Sequence, residues 1–432
     1  MKEAIAPQPE WIVSVDDHII EPEDLWTGRL RAKDCERAPH TEVGDDGLLY
    51  WVYESTRRPI SRTTFEGGCA TKGLGYIAGY DELEPWCYDP SARAEAMTAD
   101  GVLASLCFPM FPRYCGQTFL EASDRTFALE CLRAYNDWMT DTWAASTPGR
   151  FIPLVLVPLW DPRLAAEEVE RMAAKGAKAI AFSENPAKLG LPSLHDENDY
   201  WHPLLAAADA AGLPLCVHFG SSSSMPTTSA DAPLLVTGSL APANLMFALV
   251  DWLFSGKLID GDRSPYPNLK ICFSEGGIGW IPYILERCDL TLRRRPYLQE
   301  QDWKADAATG ALAAITSQGA RRMDVPPSEL FRRHMYGCFI DDEFGSRHIH
   351  EIGIDNVMLE TDFPHGDSSY PDSLANAHRR LGHLDLEDRR KVMIENACRV
   401  FDFTPVDSVA SAVSVGRGHG TGVPPRRSVC TS

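Results

Sequence analysis

Along most of this chain, short apolar runs alternate with longer stretches whose apolar residues recur three and four apart. From about residue 90 the rhythm is regular. Apolar, β-branched runs at 102–108, 151–158, 177–182, 214–218, 269–274, 334–340 and 357–361 predict buried strands. Between them, helical periodicity covers 91–100, 124–146, 164–175, 202–211, 240–255, 279–298, 343–352 and 373–381, and 386–401 closes the pattern. Gly176 and Gly212 stand where a helix ends in a left-handed residue. The run at 12–20 adds an earlier strand and brings the number to eight. Strands alternating with helices pair in parallel through right-handed crossovers, and eight such units close into a barrel. The predicted fold is therefore α/β, a distorted (β/α)8 TIM barrel over residues 1–402. An open doubly wound sheet is the alternative, but neither G-x-G-x-x-G nor a phosphate loop follows the first strand.

Residues 27–90 interrupt the rhythm. They hold one hairpin pattern at 48–60, a glycine-rich run at 67–79, and many aromatics, among them Trp51, Tyr53, Phe65, Tyr80 and Trp86. A segment this long is usually functional or disordered, and its aromatics argue against disorder. It is predicted to pack over the barrel mouth; a patch that pairs two copies into a homodimer is the alternative. The polar, alanine-rich segment 300–328 has no assigned role. The Ser/Gly/Pro/Arg-rich tail, 403–432, is predicted to be disordered.

Composition narrows the function. With 41 basic against 61 acidic residues the net charge is −20, so no basic field exists to attract nucleic acid or an anionic membrane. Twelve cysteines include no C-x-x-C pair, and Cys107, Cys216 and Cys272 lie in apolar runs, where a thiol behaves as a small hydrophobe. No apolar signal core opens the chain, and no uninterrupted apolar run approaches the roughly 20 residues of a membrane span. A cytoplasmic protein acting on a small molecule is expected.

Chemistry-bearing residues collect at the ends of the predicted strands. In the first, Asp16 and His18 are two apart and share a face, while Asp17 points the other way. The fifth ends in His218, the sixth in Ser274-Glu275-Gly276-Gly277, and the eighth in Thr361-Asp362-Phe363-Pro364-His365. Active sites of such barrels lie at this rim, and carboxylate with imidazole makes a metal site. His348-x-His350 copies the spacing of a ligand pair but lies on a predicted helix, where residues two apart diverge.

These residues resemble the amidohydrolase-related branch of the metal-dependent hydrolases, the group containing aminocarboxymuconate-semialdehyde decarboxylase. That family carries H-x-H after strand one, His after strand five, H-G-G after strand six and Asp after strand eight. Here the pattern falls on Asp16 and His18, His218, Glu275 and Asp362, and Ile394-Glu-Asn-Ala-Cys-Arg-Val-Phe401 is similar to the family's last helix. The resemblance implies one divalent ion, Zn, Fe or Mn, held by Asp16, His18, His218 and Asp362. Asp16 replaces the usual first histidine. Glu275 stands where the decarboxylases carry a proton-handling histidine, which turns the reading toward hydrolysis.

The expected activity is attack by metal-activated water, whose pKa can fall to about 7, on an ester, amide or thioester such as an acyl-CoA. Asp362 and Glu275 are the expected catalytic acid–base groups, Glu275 alternatively an extra ligand or a partner orienting an imidazole. Arg113, His365 and Trp51 are the expected substrate contacts, Arg113 by bidentate capture of a carboxylate, and the aromatic insertion suits a bulky apolar acyl group. The alternatives are a non-oxidative decarboxylase of an aromatic or unsaturated acid, and a metal-free binding barrel.

Overall fold

The computed structural model describes residues 10–62, 64–69, 75–258, 265–296, 302–305, 309, 312–315, 323 and 325–406. The first strand, β1 (Ile12–His18), is buried along its whole length, as a strand covered on both faces must be. An antiparallel sheet follows, built from β2 (His40–Val43), β3 (Leu49–Tyr53) and β4 (Thr56–Pro59). The hairpin pattern is the β3–β4 pair; β2, polar and half exposed, is an additional strand without an apolar signature.

The barrel then continues in chain order: β5 (Val102–Phe108), β6 (Phe151–Ile152), β7 (Leu154–Val155), β8 (Ala179–Ser183), β9 (Leu215–His218) and β10 (Ile271–Ser274). A small antiparallel pair, β11 (Asp302–Ala305) and β12 (Leu312–Ile315), lies within the unassigned segment. The barrel ends with β13 (Met335–Phe339) and β14 (Val357–Leu359). The parallel order is β1-β5-β6 in one ladder and β7-β8-β9-β10-β13-β14 in the other.

One expectation is corrected here. The third strand, predicted as continuous over 151–158, is two short pieces divided at Pro153, which has no N–H for the ladder. The Pro153 carbonyl still accepts from Lys178 N (2.9 Å) and Ala179 N (3.2 Å). On the other side, Asp362 N donates to Asp16 O (2.9 Å) and His18 N to Phe363 O (2.8 Å), which draws the eighth strand against the first. The ring of eight strands is that of a (β/α)8 barrel.

Helix starts follow from capping chemistry. Asp89, Asp124, Asp161 and Asp342 accept backbone N–H groups at the first turns of Pro90–Asp100, Arg125–Trp138, Pro162–Ala174 and Glu343–Arg347. Gly101, at φ 82°, ends the first of these with the Leu374 side chain only 2.9 Å from where a Cβ would sit. The helix predicted at 124–146 passes at Met139 into one π-helical turn, Met139–Ala144. The region predicted as one helix from 240 is Leu234–Leu240 followed by Ala243–Phe254. By length and composition alone Leu234–Phe254 is apolar enough to cross a membrane, although no such run was expected; Pro242 lies at its break.

The insertion reaches the C-terminal rim. Trp51 stacks on Phe111 just beyond β5 (5.0 Å between rings), Tyr80 Oη donates to Glu21 O, and Gly67 N donates to Pro364 O (3.0 Å). Of the predicted tail, Phe403 N bonds Cys398 O (2.9 Å) and Val406 N bonds Gly149 O (3.3 Å); residues 407–432 lie outside the described residues.

Candidate metal centre

Four barrel strands deliver their terminal side chains to one point. Asp16 and His18 come from β1, His218 from the last residue of β9, Glu275 from the residue after β10, and Asp362 and His365 from the segment after β14. His18 Nε2 lies 3.5 Å from Asp16 Oδ1 and 3.1 Å from Asp362 Oδ1. His218 Nε2 lies 3.5 Å from Asp16 Oδ2 and 2.9 Å from Glu275 Oε2. His365 Nδ1 is 2.9 Å from Asp362 Oδ1, and its ring stacks on His18 at 3.7 Å. The donor atoms of Asp16, His18, His218 and Glu275 all fall within 4.8 Å of one another, as do those of His18, Glu275, Asp362 and His365.

These contacts are close but are not hydrogen bonds. Both oxygens of Asp16 and of Asp362, Nε2 of His18 and His218, and Oε2 of Glu275 are buried without a hydrogen-bond partner. Stranding so many polar atoms together is very unfavourable unless a charge compensates them. His218 donates from Nδ1 to Phe219 O (2.7 Å), which leaves the Nε2 lone pair facing the cluster, as a ligating imidazole requires. The donors fit one divalent cation.

Electrostatics agree. Burial, then Glu360 and Glu275, pushes the Asp16 carboxyl well up; burial, then Glu275 and Asp16, does the same to Asp362. Burial raises Glu275, opposed by His218. Burial, then His365 and His218, pushes His18 well down, and burial brings His365 to about 3. Each group resists its charged acid or imidazolium form, and a bound cation reverses that preference for the carboxylates. Glu275 and Asp362 also hold φ of 61° and 51°, left-handed conformations disfavoured for any side chain with a Cβ. Strain of this kind concentrates at functional sites.

The alternation expected along β1 holds: Asp16 and His18 face the cluster and Asp17 turns away. Asp17 accepts from Ser14 Oγ (3.0 Å), Thr361 Oγ1 (2.5 Å), Phe363 N (3.0 Å) and Ser105 Oγ, tying β1 to β5 and to the end of β14. His365 joins the centre. Trp51 and Arg113 do not touch it; both line a neighbouring cavity. His348 and His350 pair with Glu351 and Asp388 on the surface.

Several residues of the site were not singled out from the sequence. Glu360, two before Asp362, receives the Glu275 backbone N–H on both carboxylate oxygens (3.0 and 3.1 Å) and so holds that strained residue in place. The same spacing rule that paired Asp16 with His18 could have found it. Arg93 donates to Trp86 O (2.7 Å), Phe363 O (3.0 Å) and His18 O from within the barrel wall. Tyr114 stacks on His218, 4.0 Å between rings and 12° from parallel. A cavity of about 560 Å³ opens beside Glu275 and Glu360, with Asp367, Phe219 and Trp280 in its walls.

A family profile described as Amidohydrolase matches residues 82–403. The chain belongs to the amidohydrolase family. In this amidohydrolase the first-strand pair, Asp16 and His18, lies outside the matched span and is brought to the centre by the pairing of β1 with β5. A curated relative, gamma-resorcylate decarboxylase from Polaromonas sp. (strain JS666 / ATCC BAA-500), is 25% identical over 258 residues, 56% of this chain and 68% of that protein. Among solved structures, an amidohydrolase from Mycobacterium avium subsp. paratuberculosis K-10 superposes with a TM-score of 0.64 at 19% identity, covering 91% of this chain and 98% of the other. A dihydroxybenzoic acid decarboxylase from Polaromonas sp. JS666, with bound manganese and the inhibitor 2-nitroresorcinol, gives 0.55 at 16% identity, covering 91% and 97%. At such identities the likeness establishes the barrel.

Proposed function

We propose that this amidohydrolase is a divalent-metal-dependent, non-oxidative decarboxylase of an aromatic or unsaturated carboxylic acid. The observation that carries the reading is the buried donor cluster at the strand ends, in which Glu275 Oε2 lies 2.9 Å from His218 Nε2 and so can hold or release a proton beside the place of the cation. The similarity to gamma-resorcylate decarboxylase supports it, and replaces acyl hydrolysis as the leading reading.

Asp16, His18, His218 and Asp362 would hold the cation. When bound, it supplies a positive charge that fixes and neutralises the substrate carboxylate. Glu275, held by Glu360, presents its proton to the ring carbon that bears this carboxylate. The C–C bond breaks with its electron pair left on carbon, CO2 departs, and the Glu275 proton completes the new C–H bond. A proton from solvent then reloads Glu275, so that one substrate carboxylate and one proton become the decarboxylated product and CO2.

A second reading keeps hydrolysis of an ester, amide or thioester. Its support is the same Glu275, a carboxylate in place of the imidazole of family decarboxylases and suited to act as a general base. The test is CO2 release from a panel of hydroxybenzoates by manganese- or zinc-loaded protein, beside p-nitrophenyl esters and acyl thioesters. CO2 release that chelation abolishes and metal restores carries the proposal. Ester or thioester turnover without CO2 replaces it with hydrolysis. No bound metal and no response to chelators returns the metal-free binding barrel.

A further inference from the structure

Tyr114 forms one wall of the metal centre, and its hydroxyl does nothing for the fold. The ring stacks on His218, 4.0 Å between centroids and 12° from parallel, and meets His18 edge-on at 5.9 Å and 76°. Burial, then the charges of Glu275, Asp362 and Asp16, push the hydroxyl well above its usual range, which puts it beside the carboxylate donors. None of them is its partner, and among the described residues the Tyr114 hydroxyl makes no hydrogen bond. A largely buried tyrosine normally finds a partner for its O–H, so one without any points to a ligand.

The loop that carries Tyr114 is pinned on both sides. Glu21 takes the backbone N–H groups of Met110 (3.0 Å) and Phe111 (2.9 Å), just beyond β5. Gln117 accepts from Cys115 N (2.9 Å) and donates from Nε2 to Ser221 O (2.7 Å), in the loop after His218. Ser221 and Ser222 in turn donate to the buried Glu184. Between these anchors Arg113 holds φ 63°, a strained conformation for a residue with a Cβ. Anchoring of this kind fixes the direction of the phenol before a ligand arrives, as a preorganised donor requires. Were the ring needed only to pack on His218, phenylalanine would serve as well and would bury no polar group.

We infer that Tyr114 is a substrate-contacting residue, whose hydroxyl donates a hydrogen bond to the anionic oxygen that the substrate presents to the cation. In decarboxylation that oxygen belongs to the carboxylate being lost; in hydrolysis it is the oxygen of the attacked carbonyl. The phenol is neutral in both cases, since an ordinary tyrosine pKa of about 10 already keeps the proton at neutral pH. Its neutrality has a use here. An arginine or lysine in this place would pair with Asp16, Glu275 or Asp362, whereas a phenol leaves them to the cation and still offers one donor. The inference rests on the reading of the cluster as a metal centre, and not on which reaction follows.

Isothermal titration of manganese-loaded protein with benzoate tests this apart from turnover. Tyr114→Phe keeps the ring on His218 and removes the donor. It should weaken benzoate binding about tenfold or more, as loss of a hydrogen bond to a charged group does, with manganese affinity and urea midpoint near wild type. Replacing Tyr114 by 3-fluorotyrosine gives a stronger donor of nearly the same shape and should tighten benzoate binding about twofold. A ring that only supports His218 moves neither value. Unchanged benzoate affinity in Tyr114→Phe, an equal loss of manganese affinity, or weaker binding with 3-fluorotyrosine overturns the donor. Wild-type protein that holds no manganese removes the metal reading and the donor together. If Tyr114→Phe weakens benzoate but no hydroxybenzoate releases CO2, the decarboxylase reading fails and the donor stands. CO2 release with unchanged benzoate affinity in Tyr114→Phe overturns the donor alone.

Discussion

Asp362→Asn removes one negative charge from the metal centre while keeping the shape of the side chain, and it should change stability with opposite signs in the two metal states. Without metal, both Asp362 oxygens are buried without hydrogen bonds and are crowded by Glu275, Asp16 and Asp367. A buried, unpartnered polar group costs about 1–3 kcal/mol in mutational series. Near neutral pH the wild-type carboxyl must take up a proton to be buried there, whereas the amide is already neutral, so the metal-free variant is expected to be about 1 kcal/mol more stable than wild type. With metal the order inverts. A cation at a hundred times its wild-type Kd adds about 2.7 kcal/mol; after a hundredfold loss of affinity, the same concentration adds only about 0.4 kcal/mol. Urea unfolding in chelator and in a fixed manganese concentration, for both proteins, gives all four stabilities. A variant less stable than wild type in chelator, or one that gains as much from manganese as wild type does, refutes the assignment of Asp362 as a buried ligand.

Further expectations follow from the same geometry. Glu275→Gln should retain its metal by elemental analysis and lose about 10²–10⁴ in turnover; unchanged turnover removes Glu275 from the chemistry. Arg93→Met leaves Asp17 buried without its cationic neighbour at 3.9 Å and strips donors from three carbonyls. It should lower the unfolding free energy by about 3–5 kcal/mol, and a urea midpoint close to wild type would contradict this. Glu21 is fully buried, and burial pushes its carboxyl from the usual 4.5 to about 7 against the hydrogen bonds from Phe111 N and Met110 N. The folded state therefore holds this proton more tightly than the unfolded chain, and stability falls as pH rises from 4.5 to about 7. Glu21→Gln should flatten that part of the stability–pH curve; an unchanged slope assigns it to other groups.

Much of this amidohydrolase is legible in its sequence, for a definite reason. A parallel strand buried on both faces must be a short apolar run, and a crossover helix must show a 3.6-residue period, so the eight-unit rhythm states the barrel. The barrel in turn puts strand ends on one rim, which is why Asp16, His18, His218, Glu275, Asp362 and His365 could be named together. Where a strand is half exposed and polar, as in His40–Val43, no apolar signal exists to find it. Pro153 was visible, but whether its missing N–H would break the strand depended on its neighbours in the sheet.

The remaining site residues depend on partners far away in the chain. Arg93 sits in a helical stretch like any solvated charge, and only folding places it beneath the carbonyls of His18 and Phe363, 75 and 270 residues distant. Glu360 matters because the Glu275 N–H, 85 residues away, turns toward it. Tyr114 meets His218 only when the loops after β5 and β9 close on each other through Gln117 and Ser221. Local composition and period therefore determined the barrel and the donors at its rim, because burial acts on each strand separately. Charge compensation and the shape of the substrate space were decided by tertiary structure, because both are sums over groups that only the fold brings within a few ångströms.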